Sequence, residues 1–160
     1  MENEKNMENK LELNRRPAQE EDTEFARQAH HHAYHDVVVR QFGNWDEKAQ
    51  DDFFNSAWKG SKHEIIYTNG KPCGYFSMDE SDDSITLHEL VLLPEFQGQG
   101  IGSKILNEVI EIAKAKNIPA RLQVLKENKA AELYRKLGFK QTGETETHFQ
   151  MEYNPTESKE

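Results

Sequence analysis

Three glycines within five residues, Gly98, Gly100 and Gly102, separate two apolar segments of different periodicity. The segment 84–94 is typical of a buried β-strand, whereas 101–117 carries an apolar stripe at helical spacing. Glycine lets the backbone approach a ligand closely, and the first N–H groups of the following helix have no partner within that helix. The arrangement therefore predicts either a tight strand-to-helix turn or an anion site suited to a pyrophosphate. Its spacing matches neither the P-loop motif nor the dinucleotide-binding motif.

The periodicity of the remaining sequence predicts one domain of strands and helices. Strands are predicted at 11–18, at 63–80 as a hairpin turning on Asn69-Gly70, at 84–94, at 120–126 and twice between 140 and 153. Helices are predicted at 20–42, 46–60, 101–117 and 128–139, with Asp46 and Asn128 as N-caps and Gly138 as the C-terminal glycine. This order, β-α-α-β-β-β-α-β-α-β-β, predicts a mixed sheet with helices layered on it, an α/β or α+β domain.

Length and composition limit the possible classes of protein. The 160 residues suffice for one compact domain, predicted at 11–153, and the polar, aperiodic segments 1–10 and 154–160 are predicted to be disordered tails. A formal net charge of -9 argues against a nucleic-acid partner. No apolar run is long enough to span a membrane and the N-terminus has no signal-peptide pattern, so we expect a cytoplasmic protein without a membrane partner. A single cysteine, Cys73, excludes an intramolecular disulfide.

A histidine-rich segment, His30 to His35, lies in the predicted helix 20–42. His31 and His35 are four residues apart and share a helical face. The spacing places no third ligand beside them, so we expect no metal ion. Core-edge or solvated histidines are the simpler interpretation, and the sequence leaves the role of this segment open.

The glycine loop and the segment after it carry a family resemblance. The spacing Gln97-x-x-Gly100-x-Gly102, directly after a strand that ends "LLP", resembles the acyl-CoA loop of the GNAT superfamily of N-acyltransferases. The segment "LQVLKENKAAELYRKLGFKQTGE" is similar to that family's closing strand, Asn-capped helix and "LYRKLGF" segment. The resemblance is close over roughly 84–150. For residues 11–83 it rests only on the order of the predicted strands and helices. It implies a mostly antiparallel sheet of about seven strands with about four helices, in which the central strands splay apart.

The same resemblance implies that acetyl-CoA is the cosubstrate. Backbone amides of the loop would hold its pyrophosphate, and the residues implied are Gln97, Gly98, Gln99, Gly100, Ile101, Gly102 and Ser103. The pantetheine arm would pair with the backbone of Leu90, Val91 and Leu92, as an added strand. Asn128 would contact the pantetheine region besides capping its helix.

The implied reaction is direct attack of a primary amine on the thioester. The resemblance implies the backbone N–H of Leu90 as donor to the carbonyl oxygen and Tyr134 as the acid that protonates the thiolate. The sequence leaves the base open between His88, Glu89 and a chain of water molecules.

Alternation along 84–94 bears on the identity of the base. It predicts Thr86, His88, Leu90 and Leu92 on one face of the strand and Glu89 on the other. The family often carries a carboxylate on this strand, at places where this sequence has Thr86 and His88. Glu89 could serve instead if a bulge shifts the register of the strand.

In the family, the first two helices usually form a wall of the acceptor pocket. Tyr34, Trp45 and Asp46 are therefore predicted to contact the acceptor, the amine of a small molecule or peptide. An acidic, aromatic pocket would favour small cations such as polyamines, whereas a groove open at both ends would favour peptides. The alternative function is a non-catalytic acyl-CoA sensor of the same fold, and a monomer or a homodimer is expected.

Overall fold

The computed structural model describes residues 12–156, in which seven strands and four helices follow one another in the predicted order. The strands are β1 (Leu13–Pro17), β2 (Glu64–Thr68), β3 (Lys71–Glu80), β4 (Ile85–Leu92), β5 (Ala120–Leu125), β6 (Lys140–Glu144) and β7 (His148–Tyr153). The helices are α1 (Thr23–Phe42), α2 (Glu47–Gly60), α3 (Ile101–Lys116) and α4 (Ala130–Lys136). Short 3-10 turns at Glu20–Asp22 and Pro94–Phe96 precede α1 and the glycine loop.

All seven strands form one sheet in the order β1-β2-β3-β4-β5-β7-β6. Only β4 and β5 run parallel among the described pairs, so the predicted mixed, mostly antiparallel sheet is confirmed. Apolar side chains of α3 and α4 pack on one face of the sheet. Residues of α1 and α2 pack on the other face, against Ile65, Tyr75 and Val91. The functional residues of β4 therefore lie in the centre of a three-layered domain.

Local turn chemistry fixes several element ends as predicted. Asn69 and Gly70 both have positive φ, 51° and 79°, at the β2–β3 hairpin turn. Oδ1 of Asp46 accepts a hydrogen bond from the N–H of Ala49, 3.1 Å away, and caps α2. Oδ1 of Asn128 accepts one from the N–H of Ala130 at 2.9 Å, although the N-cap position of α4 is Lys129, one residue after the predicted one.

The C-terminus of α4 is closed by a Schellman motif. Gly138 has a φ of 105°. Its N–H donates to the carbonyl of Arg135 at 3.1 Å, and the N–H of Phe139 donates to the carbonyl of Tyr134 at 3.0 Å. The motif thereby fixes the backbone of Tyr134 at the end of a short helix.

The two central strands, β4 and β5, separate after a short parallel pairing. Ile85 to Leu87 pair with Ala120 to Leu122, and no later residue of either strand is paired across this interface in the described chain. On its other side β5 pairs with β7 along its whole length. The predicted splay is therefore confirmed, and the second half of β4 is left with an open edge.

A β-bulge in β4 changes which residues share a face. Ser77 pairs with Glu89 and Met78 with Leu87, so β4 has one extra residue, His88. Leu87 and Leu90 consequently both pack on the α3 side, although three positions separate them. The unbroken alternation predicted from the sequence is wrong beyond His88, because the bulge reverses the faces.

The predicted tails 1–10 and 154–160 fall largely outside the described residues. Within the second of them, Asn154 to Thr156 form a turn and Pro155 is buried. Cys73 is a buried thiol of β3. Between residues 12 and 156, no helix has the length and apolar character needed to cross a bilayer.

Candidate functional site

Two cavities meet in the gap between β4 and β5. The loop cavity, of about 670 Å³, is lined by the glycine loop, the end of β4 and part of α1 and α4. The helix cavity, of about 740 Å³, is lined by α1, α2, β4, β5 and α4. Five residues line both of them, Tyr34, Leu90, Asn128, Ala130 and Tyr134. Two ligands that entered from the two sides would meet at these residues.

The loop cavity contains most of the residues predicted to bind the cofactor. These are Leu90, Val91, Leu92, Gln97, Gly98, Gly100, Gly102, Ser103 and Asn128. Gly98 and Gly100 have φ values of 76° and 87°, which side chains rarely adopt. No acidic residue lies in the first turn of α3 and no side chain caps it. The first N–H groups of α3 are therefore available to an anion.

Gln99 and Ile101 do not line the loop cavity, although they were predicted to bind the cofactor. The side-chain amide of Gln99 donates to the carbonyl of Glu95 at 3.0 Å. Ile101 is buried in the core below the loop. These two side chains hold the loop in place, and only their backbone N–H groups remain for a ligand.

The open edge of β4 presents backbone groups to the gap. The N–H of Leu93 donates to the carbonyl of Cys73 in β3 at 2.8 Å. Since backbone direction alternates along a strand, the N–H groups of Leu92 and Leu90 point away from β3, into the gap. The carbonyl of Leu92 is taken by the side-chain amide of Gln97, 2.9 Å away. The N–H of Leu90 is thus directed to the place where the cavities meet.

Tyr134 lies on α4 at the junction of the two cavities. Its side chain packs edge-on against Phe139, with 6.0 Å between the ring centroids. Burial raises the pKa of Tyr134 to about 12. The phenol therefore keeps its proton at neutral pH and can donate it inside the site.

Glu89 lines the helix cavity and forms a buried pair with His63, a residue that the sequence analysis missed. Nδ1 of His63 lies 3.0 Å from the carbonyl of Ser61, and Nε2 lies 2.7 Å from Oε2 of Glu89. A carbonyl oxygen only accepts, so Nδ1 carries a proton. Nε2 and the carboxylate oxygen Oε2 are both acceptors when neither carries a proton. Their short contact therefore requires a second proton, shared between these two atoms. The ring of Trp58 stacks on His63 at 4.5 Å.

Two tyrosines surround the Glu89 carboxylate. Burial raises the pKa of Tyr34, and the nearby Tyr134 and Glu89 raise it further. Burial also raises the pKa of Tyr75, followed by the effects of Glu89 and Tyr34. The hydroxyl of Tyr75 is buried without a hydrogen-bond partner. These couplings place Glu89, Tyr34 and Tyr134 in one electrostatic neighbourhood.

His88, the other predicted base, occupies the bulge at the rim of the helix cavity. Its Nε2 lies 2.7 Å from Oδ2 of Asp79, and both side chains are exposed. An ionised Asp79 accepts the Nε2 proton, so a neutral His88 keeps Nδ1 as an acceptor. His88 thus has a ring nitrogen left for a further hydrogen bond, but on the solvent side.

Of the predicted acceptor residues, Tyr34 lines both cavities, whereas Trp45 and Asp46 line neither. The indole N–H of Trp45 donates to Oε2 of Glu47 at 2.6 Å, and its ring packs against His31 and His35. Asp46 caps α2. Both side chains are engaged locally, and the helix cavity is walled instead by residues that include His30, Phe42 and Phe53.

The histidine-rich segment forms a buried hydrogen-bonded chain. Nδ1 of His30 lies 2.9 Å from Nδ1 of His31, whose Nε2 lies 2.7 Å from Oδ1 of Asp51. Burial, and then the neighbouring His31, lower the pKa of His30 to about 4. Ligand atoms of His31, Glu47 and Asp51 lie within 4.8 Å of one another. The guanidinium of Arg27 contacts both carboxylates, at 3.5 and 3.0 Å, and supplies the positive charge there.

Comparisons with known proteins agree with this geometry. The model of the acetyltransferase (GNAT) family matches residues 17–139. An uncharacterized N-acetyltransferase of Methanocaldococcus jannaschii is 38% identical over 112 residues, which cover 64% of this chain and 46% of that protein. The thialysine N-epsilon-acetyltransferase of Bos taurus is 39% identical over 95 residues, covering 52% of this chain and 56% of that protein. The chain thus spans about half the length of these curated relatives.

The fold has solved counterparts. The crystal structure of the PaiA N-acetyltransferase of Thermoplasma acidophilum, in complex with coenzyme A, superposes with a TM-score of 0.71 at 20% identity. The superposition covers 89% of this chain and 99% of that one. At 20% sequence identity, this superposition shows that the two proteins share a fold. The family model, in contrast, matches most of the sequence. The chain belongs to the GNAT family of acetyltransferases.

Proposed function

We propose that the protein transfers an acetyl group from acetyl-CoA to a primary amine of a small molecule or peptide, by direct attack of the amine. The observation that carries this proposal is the junction of the two cavities at Leu90 and Tyr134. The names of the relatives as N-acetyltransferases and the coenzyme A in the PaiA structure support it.

The loop cavity suits coenzyme A. The left-handed glycines Gly98 and Gly100 and the uncapped start of α3 offer N–H groups to a pyrophosphate. The open edge of β4 offers backbone groups to an extended pantetheine arm. Asn128 uses Oδ1 for its cap and retains its side-chain N–H groups for the arm. Arg40 and Lys129 also line this cavity and add positive charge for phosphates.

Bound acetyl-CoA supplies a thioester, and residues at the junction act on it. The N–H of Leu90 donates to the carbonyl oxygen as negative charge develops there. The hydroxyl of Tyr134 donates its proton to the departing thiolate. A phenol with a pKa of about 12 is a weak acid in water. The burial that raises its pKa also raises the proton affinity of a thiolate beside it, so the transfer is less unfavourable inside the site than in water.

Glu89 is the proposed base. An alkylamine resembles lysine, with a pKa of about 10.4, and must lose a proton before it attacks. Glu89 is largely buried and is held by His63. Its charge raises the pKa of Tyr34, as the nearby Tyr134 also does, so Glu89 lies close to the junction of the cavities. His88 faces the rim and its ring is turned to Asp79. Glu89 accepts the proton directly or through one water molecule.

The test is release of free thiol from acetyl-CoA in the presence of a panel of primary amines, with binding of coenzyme A measured by calorimetry. We expect binding and turnover with at least one amine. Binding without turnover of any amine would favour the non-catalytic sensor. Absence of binding would overturn the assignment of the loop cavity.

A further inference from the structure

We infer that the acceptor carries a single amine on an uncharged, mainly apolar body. This inference rests on the proposed function and names the substrate class of the helix cavity. It separates such amines from polyamines, which carry further ammonium groups, and from free amino acids such as the thialysine in the bovine relative's name.

The helix cavity has few charged side chains. None of the described residues that line it is a lysine or an arginine, so no permanently charged cation there pairs with a substrate carboxylate. The only lining carboxylate in that set is Glu89, which is already bonded to His63. Burial lowers the pKa of the lining His30 to about 4 and also lowers that of His148, so both rings are neutral at pH 7. A second charge on the acceptor would gain no partner of opposite charge inside, and it would lose hydration wherever it lies against the apolar wall.

A mainly apolar wall runs along the α1 side of the helix cavity. His30, Tyr34, Val38 and Phe42 recur every four residues of α1 and all line the cavity. Twelve residues of helix place the ends of this stripe about 18 Å apart. Phe53 of α2 lies beside His30, with 6.0 Å between ring centroids. The cavity is thus long enough for an extended chain.

Exposure of aromatic side chains points to an apolar occupant. Three large hydrophobic side chains are exposed in the described chain, Phe42 at 50%, Phe53 at 60% and Val39 at 36%. Both phenylalanines line the helix cavity, whereas Val39 lines neither cavity. The carboxylate of Glu89 lies deep in the cavity, since its side chain is only 15% exposed. The amine therefore belongs at the buried end and the apolar body against the exposed phenylalanines.

Three amines with eight carbons each test the inference: octylamine, 1,8-diaminooctane and 8-aminooctanoic acid. They share one primary amine and its chain, and their far ends are a methyl group, an ammonium and a carboxylate. We expect kcat/KM for octylamine to exceed both others by about tenfold or more, mainly through KM. Equal or higher efficiency with either charged compound would overturn the inference. Absence of thiol release with every amine would instead overturn the proposed function.

Variants of the exposed wall provide a second readout. In Phe53→Asp we expect the ratio of kcat/KM for 1,8-diaminooctane over octylamine to rise about tenfold, because the new carboxylate pairs with the far ammonium. Val39→Asp is the matched control, since it places the same charge on an exposed apolar position outside both cavities. An unchanged ratio in Phe53→Asp together with a changed oligomeric state by light scattering would assign Phe53 to a subunit contact and overturn its role here.

Discussion

The carboxylate of Glu89 and the imidazole of His63 form a buried pair, 2.7 Å between Oε2 and Nε2, whose orientation is set by the Ser61 carbonyl behind the ring. Side-chain exposure is 2% for His63 and 15% for Glu89, so the open side of the pair is the carboxylate. One carboxylate oxygen is held by the histidine, which leaves the other for the cavity. His63 is therefore a positioning residue for the proposed base.

His63→Ala is expected to lower kcat by about tenfold, equal to about 1.4 kcal/mol of transition-state stabilisation, because Glu89 loses its fixed orientation. Affinity for coenzyme A should stay unchanged, since His63 lines neither cavity. His63→Gln retains a donor for Oε2 and should recover part of the rate. Steady-state kinetics and calorimetry on the two variants check this; equal losses in Ala and Gln would indicate a packing role beside Trp58.

Glu89→Gln and His88→Gln separate the two candidate bases. Loss of the base should lower kcat/KM by about 10² to 10⁴ in Glu89→Gln, whereas His88→Gln should remain within about threefold of the native enzyme. An acceptor of low basicity, such as a hydrazine, removes the ionisation of the amine from the pH profile. The opposite ranking of the two variants would transfer the role of base to His88 and Asp79.

Tyr134→Phe should lower kcat by about 10² to 10⁴ and leave the affinity for coenzyme A nearly unchanged. Because the pKa of Tyr134 is raised to about 12, the protonated form persists throughout the neutral and mildly alkaline range. The native enzyme should therefore show no alkaline loss of kcat from this group below about pH 10. An alkaline fall near neutrality that disappears in Tyr134→Phe would contradict the assignment.

Gly100→Ala tests the loop, with Gly43→Ala as its matched control. Both glycines have left-handed backbones, with φ of 87° and 88°, and Gly43 lines neither cavity. Each alanine should cost about 1 kcal/mol or more of stability. Only Gly100→Ala should also weaken coenzyme A binding, by about tenfold, equal to about 1.4 kcal/mol. Thermal melts and calorimetry distinguish the two effects, and parallel affinity losses would show that strain alone is responsible.

His30 makes the fold sensitive to acid. Its pKa is about 4 in the folded chain and about 6.5 when unfolded, so between these values only the unfolded state binds the proton. Stability should fall as the pH drops from 7 to 5, with a contribution from this group of about 2 kcal/mol. In His30→Gln the difference in Tm between pH 7 and pH 5 should be smaller than in the native protein. His35→Gln, at an exposed position of the same helix, serves as control and should keep the native difference.

Local chemistry explains why the sequence predicted the fold. The apolar stripe of α3, the cap at Asp46, the positive φ at Asn69-Gly70 and the Schellman motif at Gly138 depend on neighbouring residues alone. The splay of β4 from β5 was implied by a family resemblance and could not be read from alternation. The extra residue in β4 leaves a trace in the sequence, since Leu87 and Leu90 are three positions apart and pack on one side, but the sequence offered the bulge only as an alternative to plain alternation.

The predicted residues that the structure brings to the cavities are mainly those given by backbone and a motif, as in the glycine loop and Tyr134. It was predicted least well where distant segments meet. His63 pairs with Glu89 across 26 positions of sequence, and nothing near His63 in the sequence marks it. Trp45 and Asp46 have suitable side chains for an acceptor pocket, but a hydrogen bond to Glu47 and a helix cap engage them locally.

The bulge at His88 lets β4 carry one residue more than β3 while the residues on both sides of it keep their faces. Substitution of His88 keeps the register, so Glu89 stays beside His63 and the N–H of Leu90 stays directed to the gap. Deletion of His88 would remove the bulge but leave Glu89 opposite Ser77 and Leu87 opposite Met78, so the faces would not change. Closure of the bulge with His88 still present would instead turn Glu89 into the apolar layer beneath α3 and the N–H of Leu90 towards β3. The position of the proposed base therefore depends on this single shift of register.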